Sequence, residues 1–297
     1  MSSIANLPRQ LEKALREVSE SEPYPRFVID NVLADTEYQK LLAEFPDQLV
    51  GDPGNDGFVN YTIRPGAEVS LRLSPAWQEF VNQIRSDATK SAMVRASIHA
   101  ATRRYPRLWR WTLFSRLRNP ANYEINLAFS ANYAGRFLPP HSDNSYKVLA
   151  LVLYFAPLGY SNKQEGTWFY RAHSKSVVRE SVRRFNRLAD SSITRRIPLE
   201  LLPMTSSHVY ANARSLHEQQ AAEAWFYENF TNDFNVAFEA NRIAGFVKTQ
   251  DSFHAVDMRD STYVGPRRSL LINLNLRHSL VARAGQAFRT RVLKLSS

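Results

Sequence analysis

The sequence predicts an α+β chain: a mainly helical N-terminal part (residues 1–112), then a mainly antiparallel β core (113–280) with a partly helical insertion at 173–239. Three observations lead there. The apolar spacing is helical up to about Ala101 and strand-like beyond about Leu113; no repeat, linker or low-complexity tract divides the chain; and 44% of its 297 residues are hydrophobic. That is enough for one large core, so 1–297 is expected to fold as a single domain.

Taken in order, "SSIANLPRQLEKALREVSE" places Ile4, Leu7, Leu11, Ala14, Leu15 and Val18 on one helical face. "YPRFVIDNVL" reads as a short strand, and "ADTEYQKLLAEFP" as a second amphipathic helix closed by Pro46. The Pro- and Gly-punctuated "GDPGNDGFVNYTIRPGAE" reads as turns. A long helix is expected from Ser74, which can cap it, through Pro75 in the first turn to about Ala101. The strand period then runs through "YEINLAFSANYAG", "KVLALVLYFA", "GTWFYRA", "SSHVYANA", "RIAGFVKT" and "RRSLLINLNLRHSLV". The insertion contributes a basic helix and the helical pattern "SLHEQQAAEAWFYENF".

Composition removes several chemistries. With no cysteine there is no disulfide, thiolate zinc site, iron–sulfur cluster or cysteine nucleophile, so any metal must be held by His, Asp or Glu. No run of 18 apolar residues and no apolar signal-peptide core appear, so no transmembrane segment and a cytoplasmic address are expected. The net charge of +10 is concentrated in Ala101–Asn119 and Ser176–Arg196. A solvated basic face is the plainest reading, ahead of an anionic small substrate or peripheral membrane contact, with nucleic acid last. Oligomeric state leaves no trace in the sequence.

The chemistry gathers around "PPHSDNSYKVLALVLYFA". His141 and Asp143, at i and i+2 on a strand end, share a face and can bind one ion; His254, in "SFHAV" after a later strand, can complete the set. Two imidazoles and one hard carboxylate favour Fe(II) and leave positions open for an oxo-acid and dioxygen. An H-x-D alone is a weak signal. Its weight comes from order: H-x-D before an apolar strand, a second histidine after another strand, and Arg-x-Ser opening the last one.

In these residues the chain resembles the Fe(II)- and 2-oxoglutarate-dependent dioxygenases of the prolyl-4-hydroxylase-like type. The resemblance rests on "YAGRFLPPHSD", "VLALVLYFA", "GTWFYR", "NRIAGFVKTQDSFHAV" and the R-x-S strand, and covers about Tyr123 to Leu276. It implies a double-stranded β-helix (jelly-roll) core buttressed by the N-terminal helices. It also implies an iron site of His141, Asp143 and His254, with 2-oxoglutarate and O2 as cosubstrates and succinate and CO2 released on hydroxylation. Related halogenases have a small residue where Asp143 stands, so halogenation is not expected.

The distal carboxylate of 2-oxoglutarate needs a buried counter-charge, for which arginine is well shaped. Alternation pairs Arg267 with Ser269 on one face and Arg268 with Leu270 and Ile272 on the other. The R-x-S pattern favours Arg267, while a spacing from His254 longer than the family's usual one also admits Arg268. Tyr133 is placed to offer its hydroxyl to the cosubstrate, and Lys147 and Asn241 read as fold residues. His99, His173, His217 and His278 lack metal spacing; His208 reaches the site if its segment is a strand. The insertion reads as a lid whose Arg179, Arg183, Arg184 and Arg187 favour a small or anionic metabolite. The alternatives are a prolyl-type protein oxygenase, a nucleic-acid oxygenase, or a catalytically silent basic jelly-roll binding module.

Overall fold

The structure, a computed structural model, describes residues 6–18, 22–50, 58–63, 72–104, 118–143, 146–185, 207–249 and 251–277. Its N-terminal part begins with α1 (Leu7–Glu17), which buries Leu7, Leu11 and Leu15 along the face set by their spacing. Strand β1 (Arg26–Ile29) and helices α2 (Asp35–Ala43) and α3 (Asp47–Val50) follow, then strand β2 (Phe58–Ile63). The single long helix expected from Ser74 is two helices, α4 (Pro75–Ile84) and α5 (Asp87–Arg104). Each has its own serine cap: Ser74 Oγ accepts from Trp77 N at 3.4 Å and Ser86 Oγ from Thr89 N at 3.3 Å, so the second serine restarts the helix.

Eight further strands follow: β3 (Tyr123–Asn132), β4 (Phe137–His141), β5 (Lys147–Tyr154), β6 (Ser161–Ala172), β7 (Phe230–Glu239), β8 (Ile243–Val247), β9 (His254–Asp257) and β10 (Arg267–Leu276). Helices α6 (Lys175–Phe185) and α7 (Leu216–Asn229) lie between β6 and β7, the latter opened by a capping box of Ser215 and Glu218. The strands form two antiparallel sheets ordered β1-β8-β5-β10-β3-β2 and β4-β9-β6-β7. Strands β3 to β10 thus pass back and forth between two four-stranded layers as a double-stranded β-helix, the jelly roll, with β1 and β2 added as edge strands.

Alternation decides what each face meets. From β5, Leu149, Leu151 and Leu153 join Leu127 and Phe129 of β3 and Leu270, Ile272 and Leu274 of β10 in a core with α1, α2, α4 and α5. Trp77 lies at the middle of this core, fully buried, its Nε1 donating to the Leu41 carbonyl at 3.0 Å and its ring edge-on to Phe45, Phe80 and Phe129. The opposite face lines the barrel, where Ala150 and Tyr154 meet Phe169, Val236, Phe238, Ala244 and Phe246. A third cluster, Tyr170, Phe185, Val209, Phe226, Phe230 and Phe253, packs α6 and α7 onto the smaller sheet.

Three sequence expectations change. The stretch read as turns contains β2, which pairs Phe58–Ile63 with Leu127–Asn132; its six-residue alternation was hidden between Pro and Gly punctuation. The insertion does not reach Glu239, because Phe230–Glu239 is β7, paired with β6. The segment "SSHVYANA" forms only one bridge, His208 to His141, before turning. Residues 105–117, 186–206 and 278–297, which hold much of both basic stretches, Arg187 and His278, lie outside the described residues.

Asn241 ties the N-terminal part to the barrel. It sits in the left-handed region (φ +57), which asparagine tolerates, and is 3% exposed. Its Oδ1 accepts from Leu33 N at 2.9 Å while its Nδ2 donates to Leu33 O at 2.7 Å. Asn241→Ala orphans both backbone groups and is expected to cost about 2–4 kcal/mol, read as a lower urea midpoint with an unchanged slope.

Candidate metal centre

Two consecutive prolines shape the first half of the site. Pro139 and Pro140 have no N–H to give a ladder, and the β4–β9 register shifts between Leu138 and His141. Their carbonyls find other partners: Pro139 O lies 3.0 Å from His141 Nδ1, and Pro140 O accepts from Val209 N at 3.1 Å. The pairing resumes with His141 opposite His254, whose Nδ1 lies 3.1 Å from Ser252 O. A carbonyl can only accept, so both Nδ1 atoms carry the proton and both Nε2 atoms carry a free lone pair.

Those lone pairs converge on Asp143, two residues past the end of β4 and in the left-handed region (φ 37). His141 Nε2 lies 3.8 Å from Asp143 Oδ1, His254 Nε2 lies 3.8 Å from Asp143 Oδ2, and one ligand atom from each residue falls within 4.8 Å of the others. Lys147 Nζ donates to Oδ1 at 2.7 Å, while Oδ2 is buried without a hydrogen-bond partner among the described residues. Two neutral nitrogen donors and one unsatisfied anionic oxygen fit a divalent cation of borderline hardness, Fe(II) among them.

The electrostatics agree with that donor set. Burial, with the neighbouring His254, pushes His141 down to about 3, and burial likewise lowers His254, so both rings are neutral near pH 7. Burial alone would raise Asp143, but Lys147, His254 and His141 overcome it and hold the carboxyl ionised, below its ordinary range. Phe246 and Phe169 flank the His254 ring at centroid distances of 4.5 and 6.3 Å and keep that side apolar.

The two arginines separate cleanly. Arg268 is on the outer face, paired with Asp47 at 2.6 Å. Arg267 is 1% exposed and points into the barrel: Nε donates to Glu165 O at 2.5 Å, and the guanidinium lies over the Tyr154 and Phe238 rings. In the amide orientation that satisfies Asn132, its oxygen accepts from Arg267 Nη1 at 3.0 Å. Among the described residues no carboxylate lies within 4.0 Å of this guanidinium, and the nearby Glu165 carboxylate binds the hydroxyls of Tyr160 and Ser261. Ser269, two residues on, is 1% exposed with an unpartnered Oγ. Thr167, 3.5 Å from Arg267 Nη2, and Phe169, register partner of His254, are successive inward residues of β6, about 7 Å apart along the strand.

Tyr133 is displaced from its expected place. It follows Asn132, which faces inward, and so packs on the opposite side against the helical core; Tyr154, bonded to Thr167 at 2.6 Å, holds the interior position instead. His208 lies beside the site, 6.0 Å from His141 between ring centroids. Its Nδ1 accepts from Tyr210 N at 3.2 Å, which leaves the proton on Nε2 and no lone pair for a metal. His99, His173 and His217 are exposed and outside the site, His173 being paired with Thr231. Lys147 is more than a fold residue, since it partners Asp143; its position one turn of sequence beyond the aspartate was the available signal.

No protein-family profile and no curated protein matches the chain. Among solved structures it is similar to a Pseudomonas putida prolyl-4-hydroxylase, at 13% identity over 90% of this chain and 100% of that one, with a TM-score of 0.46. It is also similar to HygX from Streptomyces hygroscopicus with nickel and 2-oxoglutarate bound (11% identity, 90% and 87% covered, TM-score 0.45). A third similar structure is a prolyl hydroxylase from Trichoplax adhaerens in complex with a hypoxia inducible factor peptide fragment (11%, 94% and 93%, 0.42).

Removing His141, Asp143 or His254 is expected to abolish nickel(II) or iron(II) uptake. Lys147→Met, which frees the second carboxylate oxygen, should weaken metal binding about 10–100-fold, whereas His208→Ala should cost less than about tenfold. Metal titration followed by calorimetry separates the three classes.

Proposed function

We propose that the chain is an Fe(II)- and 2-oxoglutarate-dependent oxygenase that hydroxylates an unactivated C–H bond of a small molecule, with release of succinate and CO2. The observation that carries the reading is the convergence of two Nε2 lone pairs and the orphaned Asp143 oxygen at one end of a barrel whose interior holds an arginine with no carboxylate partner among the described residues. Bound iron would supply the activation of dioxygen, coupled to oxidative decarboxylation of 2-oxoglutarate. The residues of the chain do the rest. His141, Asp143 and His254 hold the metal and leave its other positions free. Arg267 takes the distal carboxylate, Ser269 offers a second donor, and the interval between Thr167 and Phe169 on β6 suits a five-carbon diacid. Phe169 and Phe246 exclude water from the flank of His254.

The case for an anionic substrate is weakened by how the insertion's arginines are engaged. Arg183 and Arg184 pair with Glu180, and Arg184 also lies over Trp225. A silent binding module would have no use for a buried carboxylate oxygen aimed between two unprotonated nitrogens. Protein and nucleic-acid substrates have no specific observation in their favour. Among the described residues no helix is long and apolar enough to cross a membrane.

Anaerobic Fe(II) with 2-oxoglutarate is expected to give a weak visible charge-transfer band that His141→Ala abolishes, and aerobic turnover should yield succinate. Absence of both band and iron retention sinks the reading; salt-sensitive nucleic-acid binding that survives His141→Ala would favour the basic module instead. Arg267→Met should raise the KM for 2-oxoglutarate by about 30-fold or more, the cost of removing one partner of a buried charge pair. Arg268→Met, at an exposed pair, should change it by less than about fivefold.

A further inference from the structure

The barrel wall beside the triad carries a second set of unsatisfied groups. On β3 and β10, Ile125, Leu127, Ile272 and Leu274 face the helical core, so alternation turns Glu124, Asn126, Asn273 and Asn275 toward the interior. Register makes them a ladder, with Asn126 opposite Asn273 and Glu124 opposite Asn275. On its other side Asn275 partners Lys147, whose ammonium holds Asp143, so the ladder adjoins the triad. Asn275 is 3% exposed, and its Oδ1 and that of Asn126 have no hydrogen-bond partner among the described residues. Asn126 Nδ2 is already directed at Glu124 Oε1, 3.3 Å away, and the neighbouring cation Lys147 is engaged by Asp143. The buried atoms that this wall leaves without a partner among the described residues are both acceptors, and the Glu124 carboxylate beside them adds a third.

We propose that the Glu124–Asn126–Asn273–Asn275 ladder is the recognition surface for the molecule to be oxidised, and that this molecule is a small polyhydroxylated or amine-bearing compound. The proposal rests on the oxygenase reading for the reaction, though not for the binding. Hydroxyl and ammonium groups donate to the orphaned carbonyl oxygens and to the Glu124 carboxylate, which relieves the cost of burying acceptors unpaired. An anion would meet the same oxygens as repulsion, so the overall charge of +10 is not the guide to the substrate here.

The test is saturation-transfer NMR on the whole chain, alone and with nickel(II) and 2-oxoglutarate added. The probes are myo-inositol and glucosamine as donors, with inorganic phosphate and methanesulfonate as anions. The donors are expected to bind the wild type. Asn126→Leu and Asn275→Leu should each weaken them about tenfold or more, and Asn275→Asp, which keeps the acceptor, should retain glucosamine. Thermal unfolding checks each variant, with Asn126→Ser replacing any leucine variant that fails to fold. Binding of the anions in preference to the donors, donor binding that ignores the leucine changes, or no binding at all, which would leave the ladder satisfied by water, overturns the proposal. Donor binding in a wild type that forms no iron and 2-oxoglutarate band and no succinate would instead overturn the oxygenase reading and leave the recognition surface standing.

Discussion

Everything at the candidate centre depends on the pairing of β4 with β9, because that pairing sets His141 directly across from His254. Strand side chains alternate with a period of two, so a slip of one residue would turn one histidine out of the barrel and leave no common point for the nitrogens. Register is secured from the other side as well. Strand β9 also pairs with β6, where Phe169 lies opposite His254, and the two histidines are locked in the same way, each by the carbonyl two residues before it. Position, tautomer and ring orientation are therefore properties of the backbone. A metal would find its nitrogens already aimed.

The larger sheet has two kinds of work, and its strands divide them by parity. One face is Leu, Ile and Phe packed against helices; the other carries Arg267, Ser269, Asn273 and Asn275 along β10, interrupted only by Leu271. Such a face would be a poor core, since buried polar atoms without partners cost stability. It persists because the outward face of the same strands supplies the packing that holds the sheet. The apolar half of each strand thus permits a polar interior, which is where chemistry becomes possible.

What the sequence made legible follows from what each feature requires. The triad could be read because metal binding restricts residue type and because His141 and Asp143 are local, with His254 following a recognisable strand. The jelly roll could be read because its strands recur in a fixed order. The choice between Arg267 and Arg268 could be narrowed by alternation, but only the helices packed on one face say which parity is inside. Tyr133 was misplaced by that same one-residue distinction. Strand β2 escaped notice because an edge strand needs only one partner, β3, and its residues lie among turn formers. The asparagine ladder was invisible because Asn126 and Asn273, like Glu124 and Asn275, come together only through register between strands far apart in the chain. Lys147 could be seen, but not its ammonium's reach back to Asp143.

The N-terminal strands deserve a different description from that of a buttress. β1 and β2 occupy opposite edges of the larger sheet, one against β8 and the other against β3. Without them the jelly roll would present two rows of unpaired amides and carbonyls, each a template for another chain. Shortening the protein from its start would therefore not yield a smaller stable barrel but an aggregating one. A minimal version of this barrel would have to be designed with new edges before it could be freed of its helices.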